Sequence, residues 1–478
     1  MSSAEWLISP RVVERAEALL RREPALASTM STPADAASIR AQGSSIRHVG
    51  AACERYGDHT CFVTQGRAIS YRELWQRVQA TAHGILRGDF IGIYGPPSVE
   101  WIVVDLACLY AGAVSVPLHV GMTADQLRHA ITQTNLATIF CADRAPLESF
   151  GTPLVGFDAL PTSGPVAPPV EPALDELVTL NFSSGSTGMP KGVMLTERRW
   201  RAQLQFALEW PRVPHVHVGY LPHSHISGRR LVYEVMMNGG VTHFPAPGDV
   251  ASLFDEIRRA RPTILPVLPQ LANMIHQQFL RGSSMADMRD TVLGDRLCLI
   301  RTGTAPIAPE VCDFLERCFD VPVANGYGST ELGSIAINGR VLPHNEYKLV
   351  DTPELGYREL YVRSPEAAIG YWNDPDATAR MFDPDGYVRT GDIVEETAPG
   401  FITPLGRRAE VVRLAHGEFI NVSELESLYG GSETLVSDRD WHELSRLGKA
   451  ELLSGRVHEQ CIAHSRGWES RLREAVAA

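Results

Sequence analysis

Two runs in the first third of the chain restrict its fold most. The stretch "DFIGIYG" (89–95) reads as a buried strand, and "SVEWIVVDLACLYAGAVSVPL" (98–118) reads as a helix running into another strand. The short apolar runs "LATIFCA" (136–142) and "TPLVGF" (152–157) have strand character too. Strands that alternate with helices build βαβ units and a largely parallel sheet. "SYRELWQRVQATAHGIL" (70–86) precedes them as a capped amphipathic helix. Residues 160–176, "LPTSGPVAPPVEPALDE", are Pro-rich and read as a surface connection. A second alternation follows, from "HVGYLP" through the helix around "LFDEIRRARP", the strand "TILPVLP", and "RLCLIRTGTAP" with its following helix. Past residue 340 the pattern changes to short β-like pieces with tight turns, such as "RELYVRS" and "DPDGYVRTGDIV". The fold class expected is α/β, with layered β-sheets and helices, and 478 residues imply more than one domain or subdomain.

Charge and cysteine usage exclude several function classes. With 56 acidic and 44 basic residues the net charge is −12, so a polyphosphate polymer is repelled on average, and no Lys/Arg cluster stands out. No nucleic-acid partner is expected. Neither a signal-peptide core nor an uncharged apolar run of about 18 residues occurs, so no membrane span is expected. The eight cysteines are scattered without CxxC pairs, which fits reduced thiols in a cytoplasmic protein and neither a zinc site nor a disulfide framework.

The stretch "TLNFSSGSTGMPKGVMLT" (179–196) is dominated by small and turn-forming residues, which argues against a packed helix or an ordinary strand. Glycines let backbone N–H groups converge on an anion. Ser184, Ser186 and Thr187 add hydroxyl donors, and Lys191 adds a charge for phosphate oxygens. It is not a Walker A loop, because Gly192 follows the lysine instead of preceding it. Taken alone, such a loop could equally be a flexible turn; the long spacing S-G-S-T-G-x-P-K-G favours phosphate.

That spacing resembles the phosphate loop of the adenylate-forming superfamily, which includes acyl-CoA synthetases, luciferases and peptide-synthetase adenylation domains. "LPHSHISGR" (221–229), "TGTAPI" (302–307), "NGYGSTE" (325–331), "YVRTGDI" (387–393) and "GRRAEVVRLAHGEF" (406–419) follow in the family's order. "YKLVDTPELGY" (347–357) and "RLAHGEFINVSELE" (413–426) are most similar to adenylation domains of carboxylic acid reductases. The resemblance implies a large ATP- and acyl-binding domain over 1–406 and a subdomain beyond a hinge, 407–478. It implies ATP-dependent activation of a carboxylic acid as acyl-AMP, with pyrophosphate released, then transfer to CoA, a carrier-protein thiol or an amine.

By the same resemblance Ser183, Ser184, Gly185, Ser186, Thr187, Gly188 and Lys191 hold the β- and γ-phosphates, and Glu331 is the Mg²⁺ carboxylate. Tyr327 stacks on adenine, Thr304 and Ala305 form a strip on its other side, and Asn325 and Gly326 run along its edge. Thr330 donates to the α-phosphate, Asp392 accepts the ribose hydroxyls, and Arg407, with Arg413 further along the hinge motif, contacts ribose or phosphate. His225 borders the acyl pocket, while His223 receives no role. Mainly the segments 223–232, 265–275, 301–305 and 326–334 line that pocket, and their apolar content together with Gly303 and Gly333 suggests an aromatic or medium acyl group.

The family's small domain carries a lysine in a Gly-Lys setting. Here residues 427–478 are all that follow Glu426, and Lys449 in "LSRLGKAEL" is the one local candidate, with a solvated helix lysine as the alternative. The expectation is an abbreviated subdomain, or a degenerate tail such as a shifted reading frame would give. A catalytically impaired nucleotide-binding homologue serving as a scaffold is the alternative function. If Lys449 works in the first half-reaction, Lys449→Ala suppresses adenylate formation and spares transfer from a supplied acyl-adenylate. Measuring both half-reactions checks this; a variant equal to the parent in both rules the role out.

Overall fold

The computed structural model describes residues 9–183, 189–209, 213–246, 250–303, 307, 309–352, 356–413 and 419–421. The predicted βαβ region is present. Phe90–Tyr94 pairs in parallel with Val114–Leu118 and with Thr138–Cys141, which pairs in turn with Leu154–Gly156. The helix Val99–Ala111 lies between two of these strands; Ser98 Oγ accepts from the Trp101 amide at 3.2 Å, and Gly112 ends the helix at φ +71°. Ten of its thirteen residues are buried, as a helix apolar on nearly every side must be. The helix expected at 70–86 spans Tyr71–Ala82 with Ser70 as its cap.

This sheet has six strands among the described residues, continuing with Leu177–Ser183 and Lys191–Thr196 at one edge. Those last two are antiparallel, with Ser183 opposite Lys191. Thus the expectation that the 179–196 stretch forms no strand is corrected. Its two ends carry Leu180, Phe182, Val193 and Leu195, all buried, and the small residues are concentrated between them. Residues 184–188 lie outside the described residues.

Two further large sheets pack around the first. One joins Arg67–Ser70, Thr60–Thr64, Val241–Phe244 and Val216–Val218. The other has nine strands. It begins with the parallel trio Ile264–Pro266, Leu299–Gly303 and Val323–Ser329, then continues antiparallel through Gly333–Ile337, Arg340–Val341, Phe401–Arg407, Val388–Ala398, Tyr357–Arg363 and Glu346–Thr352. Several of the pieces past residue 340 are therefore not short. Val388–Ala398 alone has 11 residues and turns directly into its antiparallel neighbour Phe401–Arg407, while the DPDG turn lies in the longer connection that carries the helix Pro375–Met381. Val411–Arg413 and Phe419–Asn421 form a separate two-stranded pair. Among the described residues no helix is long and apolar enough to cross a membrane. Cys53, Cys61, Cys108, Cys141, Cys298 and Cys318 are buried free thiols.

A buried ion pair sits where helices and the first sheet meet. Arg229, on the helix Ile226–Met237, donates from Nε to Asp105 Oδ2 at 2.7 Å and from Nη2 to Oδ1 at 2.5 Å. Nη2 also reaches Ser115 and Thr179 hydroxyls, each at 3.0 Å, on two neighbouring strands. The Tyr233 hydroxyl donates to Asp105 as well, and the guanidinium lies 4.5 Å from the Trp200 ring centroid. Removing one partner of such a pair strands the other charge away from water. Asp105→Ala should lower folding stability by about 3–5 kcal/mol, read as a lower urea midpoint at unchanged denaturant slope.

Candidate functional site

The site is assembled by one irregular segment. The Trp372 amide donates to the Gly192 carbonyl at 2.7 Å, Ile369 donates to Met194 at 3.1 Å, and Met194 donates back to Gly370 at 3.0 Å. Residues 369–372 thereby extend the edge strand Lys191–Thr196, with Val193 bridged to Tyr371. One residue earlier, the Ala368 amide donates to the Glu331 carbonyl at 2.7 Å. Gly370 runs at φ +140°, and a Cβ there would lie 2.5 Å from Thr378 Cγ2, so the close approach needs glycine.

Lys191 and Glu331, 140 positions apart in the chain, consequently line one cavity of about 250 Å³. Ser329, Arg380, Arg389 and Arg407 contribute to the same wall. One carboxylate against four cations makes a lining suited to a polyanion. The Tyr371 hydroxyl donates to Glu331 Oε1 at 3.0 Å, and Lys191 Nζ stands 5.2 Å from the Tyr371 ring centroid. Asp374 lies 4.0 Å from Lys191 Nζ. Burial, and after it the neighbouring Glu331 carboxylate, keep the Tyr371 phenol protonated far above neutrality.

Arg199 braces this site from below. It is fully buried on the helix Glu197–Ala207 and donates from Nη1 to the Thr330 carbonyl at 2.6 Å. Burial lowers its pKa to about 10, against the pull of Glu366 and Glu331, so it stays cationic at neutral pH.

Asp392 is 6% exposed and already engaged on both oxygens. Arg407 Nε lies 2.9 Å from Oδ1, and the Tyr327 hydroxyl donates to Oδ2. Gly391, at φ +71°, and Asp392 both lie within the strand Val388–Ala398, where Asp392 is in register with Arg407. Tyr327, Asn325 and Gly326 follow one another on the strand Val323–Ser329, where Gly326 faces Gly303 on the next strand.

The remaining expected residues divide clearly. Ser183 ends its strand, paired with Lys191. His225, Thr330, Asn325 and Gly326 do not line the cavity described above. His225 is the N-cap residue of Ile226–Met237, with its ring 5.0 Å from that of His119. Burial, then the second imidazole, hold its pKa below the usual histidine value. His223 is buried edge-on against Trp101 and Phe244, where burial lowers its pKa to about 3, so it is a neutral core residue. Ser184, Gly185, Ser186, Thr187, Gly188, Thr304, Ala305 and Lys449 lie outside the described residues, and for Arg413 only the strand assignment is described.

The glycine reading of the acyl pocket is corrected. A Cβ on Gly303 would stand 2.7 Å from the Gly326 carbonyl oxygen, and one on Gly333 would stand 2.1 Å from Glu366 Oε2. Protein atoms occupy the space those glycines leave, so they serve chain packing rather than acyl room. Sequence reasoning also missed Tyr371, Arg199, Arg380 and Arg389. Arg389 stood inside the quoted "YVRTGDI" without a role, and Tyr371 stood in "GYWNDP", whose glycine was the available signal.

Residues 49–372 match the AMP-binding enzyme family. The chain belongs to that family. It is 33% identical over 441 residues to the carboxylic acid reductase of Mycobacterium tuberculosis, covering 76% of this chain and 38% of that protein. The chain thus spans well under half the length of the curated reductases it matches. It is 29% identical to the rat long-chain-fatty-acid–CoA ligase 6, covering 77% of this chain and 67% of the ligase. Among solved structures it superposes on the A domain of the Segniliparus rugosus carboxylic acid reductase, in complex with AMP and a co-purified carboxylic acid. There the TM-score is 0.79 at 28% identity, over 88% of this chain and 83% of that one. The adenylation domain of a Mycobacterium chelonae carboxylate reductase gives a TM-score of 0.82 at 26% identity, over 96% and 90%.

Proposed function

We propose that this chain activates a carboxylic acid with ATP, forming acyl-AMP and pyrophosphate. The observation that carries the reading is the convergence of Lys191, Glu331 and Arg407 on one cation-rich cavity. Two anions must meet for a carboxylate oxygen to attack the α-phosphorus and for the bond to the pyrophosphate oxygen to break. Preorganised cations lower that barrier because they are already aimed where charge concentrates. Lys191, at the end of the phosphate loop, meets the phosphates. Arg407 meets ribose or phosphate, and Asp392 exchanges its present partners for ribose hydroxyls.

Mg²⁺ fits the donor chemistry at Glu331. The ion takes hard oxygen ligands and is held by one or two carboxylates together with substrate phosphates, and a lone carboxylate in a cationic cavity matches that pattern. When bound, the ion neutralises phosphate charge. Glu331 holds its position through the Ala368 amide and the Tyr371 hydroxyl.

The acyl group then passes to CoA, a carrier-protein thiol or an amine. Family membership and the likeness to both reductase adenylation domains and a CoA ligase support an acyl-transferring ligase. We place the boundary between the large domain and the hinge-linked subdomain at Arg407, the last residue of Phe401–Arg407. The acid is to be identified by hydroxamate formation over a panel that includes aromatic and medium-chain members.

Carboxylate-dependent pyrophosphate exchange tests the reading. Lys191→Ala and Glu331→Gln should each lower exchange by about 10²–10³-fold with the circular dichroism spectrum unchanged. A parent chain that binds ATP but exchanges nothing with any acid would leave a nucleotide-binding subunit instead. Asp392→Ala should raise the apparent KM for ATP by about tenfold, because hydrogen bonds to a charged group contribute about 1.5–3 kcal/mol. The ranking of acids should not change, since the ribose is remote from the reacting carbon. An altered ranking at normal ATP dependence would refute that placement.

A further inference from the structure

Lys191 and Glu331 face the same cavity with opposite charges, yet they are not paired. Among the described residues the carboxylate within 4.0 Å of Lys191 belongs to Asp374. Left to themselves, a lysine and a glutamate lining one pocket attract, and a closed pair would be lost to both phosphate and metal. Tyr371 stands between them. Its ring takes the ammonium at 5.2 Å from the centroid, and its hydroxyl takes Glu331 Oε1 at 3.0 Å. A cation over an aromatic face is held without a counter-charge. A hydroxyl donor orients a carboxylate without neutralising it.

The backbone that carries this side chain is itself anchored on both sides. The Tyr371 amide donates to Thr378 Oγ1 at 2.9 Å, and its neighbours Gly370 and Trp372 are bonded to the strand that begins at Lys191. The segment carrying Tyr371 also bonds the Glu331 backbone through Ala368. The spacing between ammonium and carboxylate is therefore set by backbone registers rather than by the two long side chains.

We propose that Tyr371 is a positioning residue that keeps Lys191 and Glu331 apart, so that the lysine meets phosphate and the glutamate stays in place for the divalent cation that accompanies ATP. The inference rests on the adenylation reading above and assigns it a further residue.

Four variants of the full chain test it: Tyr371→Phe, Tyr371→Ala, Glu331→Gln, and Tyr371→Ala combined with Glu331→Gln. Two readouts are needed, the Mg²⁺ titration of pyrophosphate exchange and calorimetric binding of ATP in EDTA. Tyr371→Phe keeps the ring and loses the hydroxyl. It should raise the Mg²⁺ concentration for half-maximal exchange by about tenfold, as loss of a partner behind a metal ligand does, with metal-free ATP binding unchanged. Tyr371→Ala should also weaken metal-free ATP binding, because Lys191 can now close on Glu331. The double variant should restore that binding, because a neutral amide in place of the carboxylate offers Lys191 no charge. A merely structural tyrosine would give no such restoration.

Parent-like Mg²⁺ titration in folded Tyr371→Phe, or a double variant no better than Tyr371→Ala, overturns the proposal. Should Tyr371→Ala not fold, the Mg²⁺ titration of Tyr371→Phe decides alone. Glu331→Gln separates this failure from that of the wider reading. If its Mg²⁺ response is lost while Tyr371→Phe is normal, only the Tyr371 role falls. If Glu331→Gln itself titrates like the parent, both fall.

Discussion

The guanidinium of Arg229 ties the molecule together. It sits between the rings of Trp200 and Trp101, and its bonds run to Asp105 on one helix and to hydroxyls on two parallel strands. A charge pair withdrawn from water loses several kcal/mol of solvation per ion, so it persists only where geometry and extra hydrogen bonds are nearly complete. That requirement fixes the helix Ile226–Met237 against Leu177–Ser183 in one register. The strand ends at Ser183, opposite Lys191, and the helix presents His225 at its N-cap. Tyr233 and Trp200 close the arrangement by bonding Asp105 and Thr179.

A second constraint acts on the chemistry. The first sheet ends on Lys191–Thr196, an edge whose amides and carbonyls would otherwise face solvent. Residues 369–372 cover it. Edge strands tend to recruit such cover, and here the cover comes from the stretch between two strands of the nine-stranded sheet. The consequence is functional. Two sheets whose strands are remote in sequence are joined at the point where a lysine of one and a glutamate of the other face a common cavity.

Burial then distinguishes the charged groups that line the cavity from those that brace it. Arg199 and Arg229 are both buried, and neither lines the cavity. Lys191 and Arg407 keep 33% and 53% of their side chains exposed, which leaves them accessible to an incoming anion. The buried arginines act on backbone and hydroxyl partners. Arg199 supports the carbonyl just before Glu331, so a cation not seen by solvent steadies a carboxylate that is.

Much of this was legible in the chain itself. The apolar run Val99–Ala111 flanked by Ser98 and Gly112 could only be a buried helix, and Phe90–Tyr94 and Val114–Leu118 are too apolar for any surface. Local motifs also singled out Lys191, Glu331 and Arg407, which line one cavity, and Asp392, which pairs with Arg407, because residue types at short spacings are written in sequence. What the sequence did not determine is any relation that crosses sheets. That Tyr371 would stand between Lys191 and Glu331 depends on an edge strand accepting a segment from far along the chain. That Gly303 and Gly333 would admit protein rather than substrate depends on where Gly326 and Glu366 come to rest. Periodicity reports which face of an element is buried; only the tertiary structure decided what that face meets, because the partner is chosen by packing between elements that carry no record of one another.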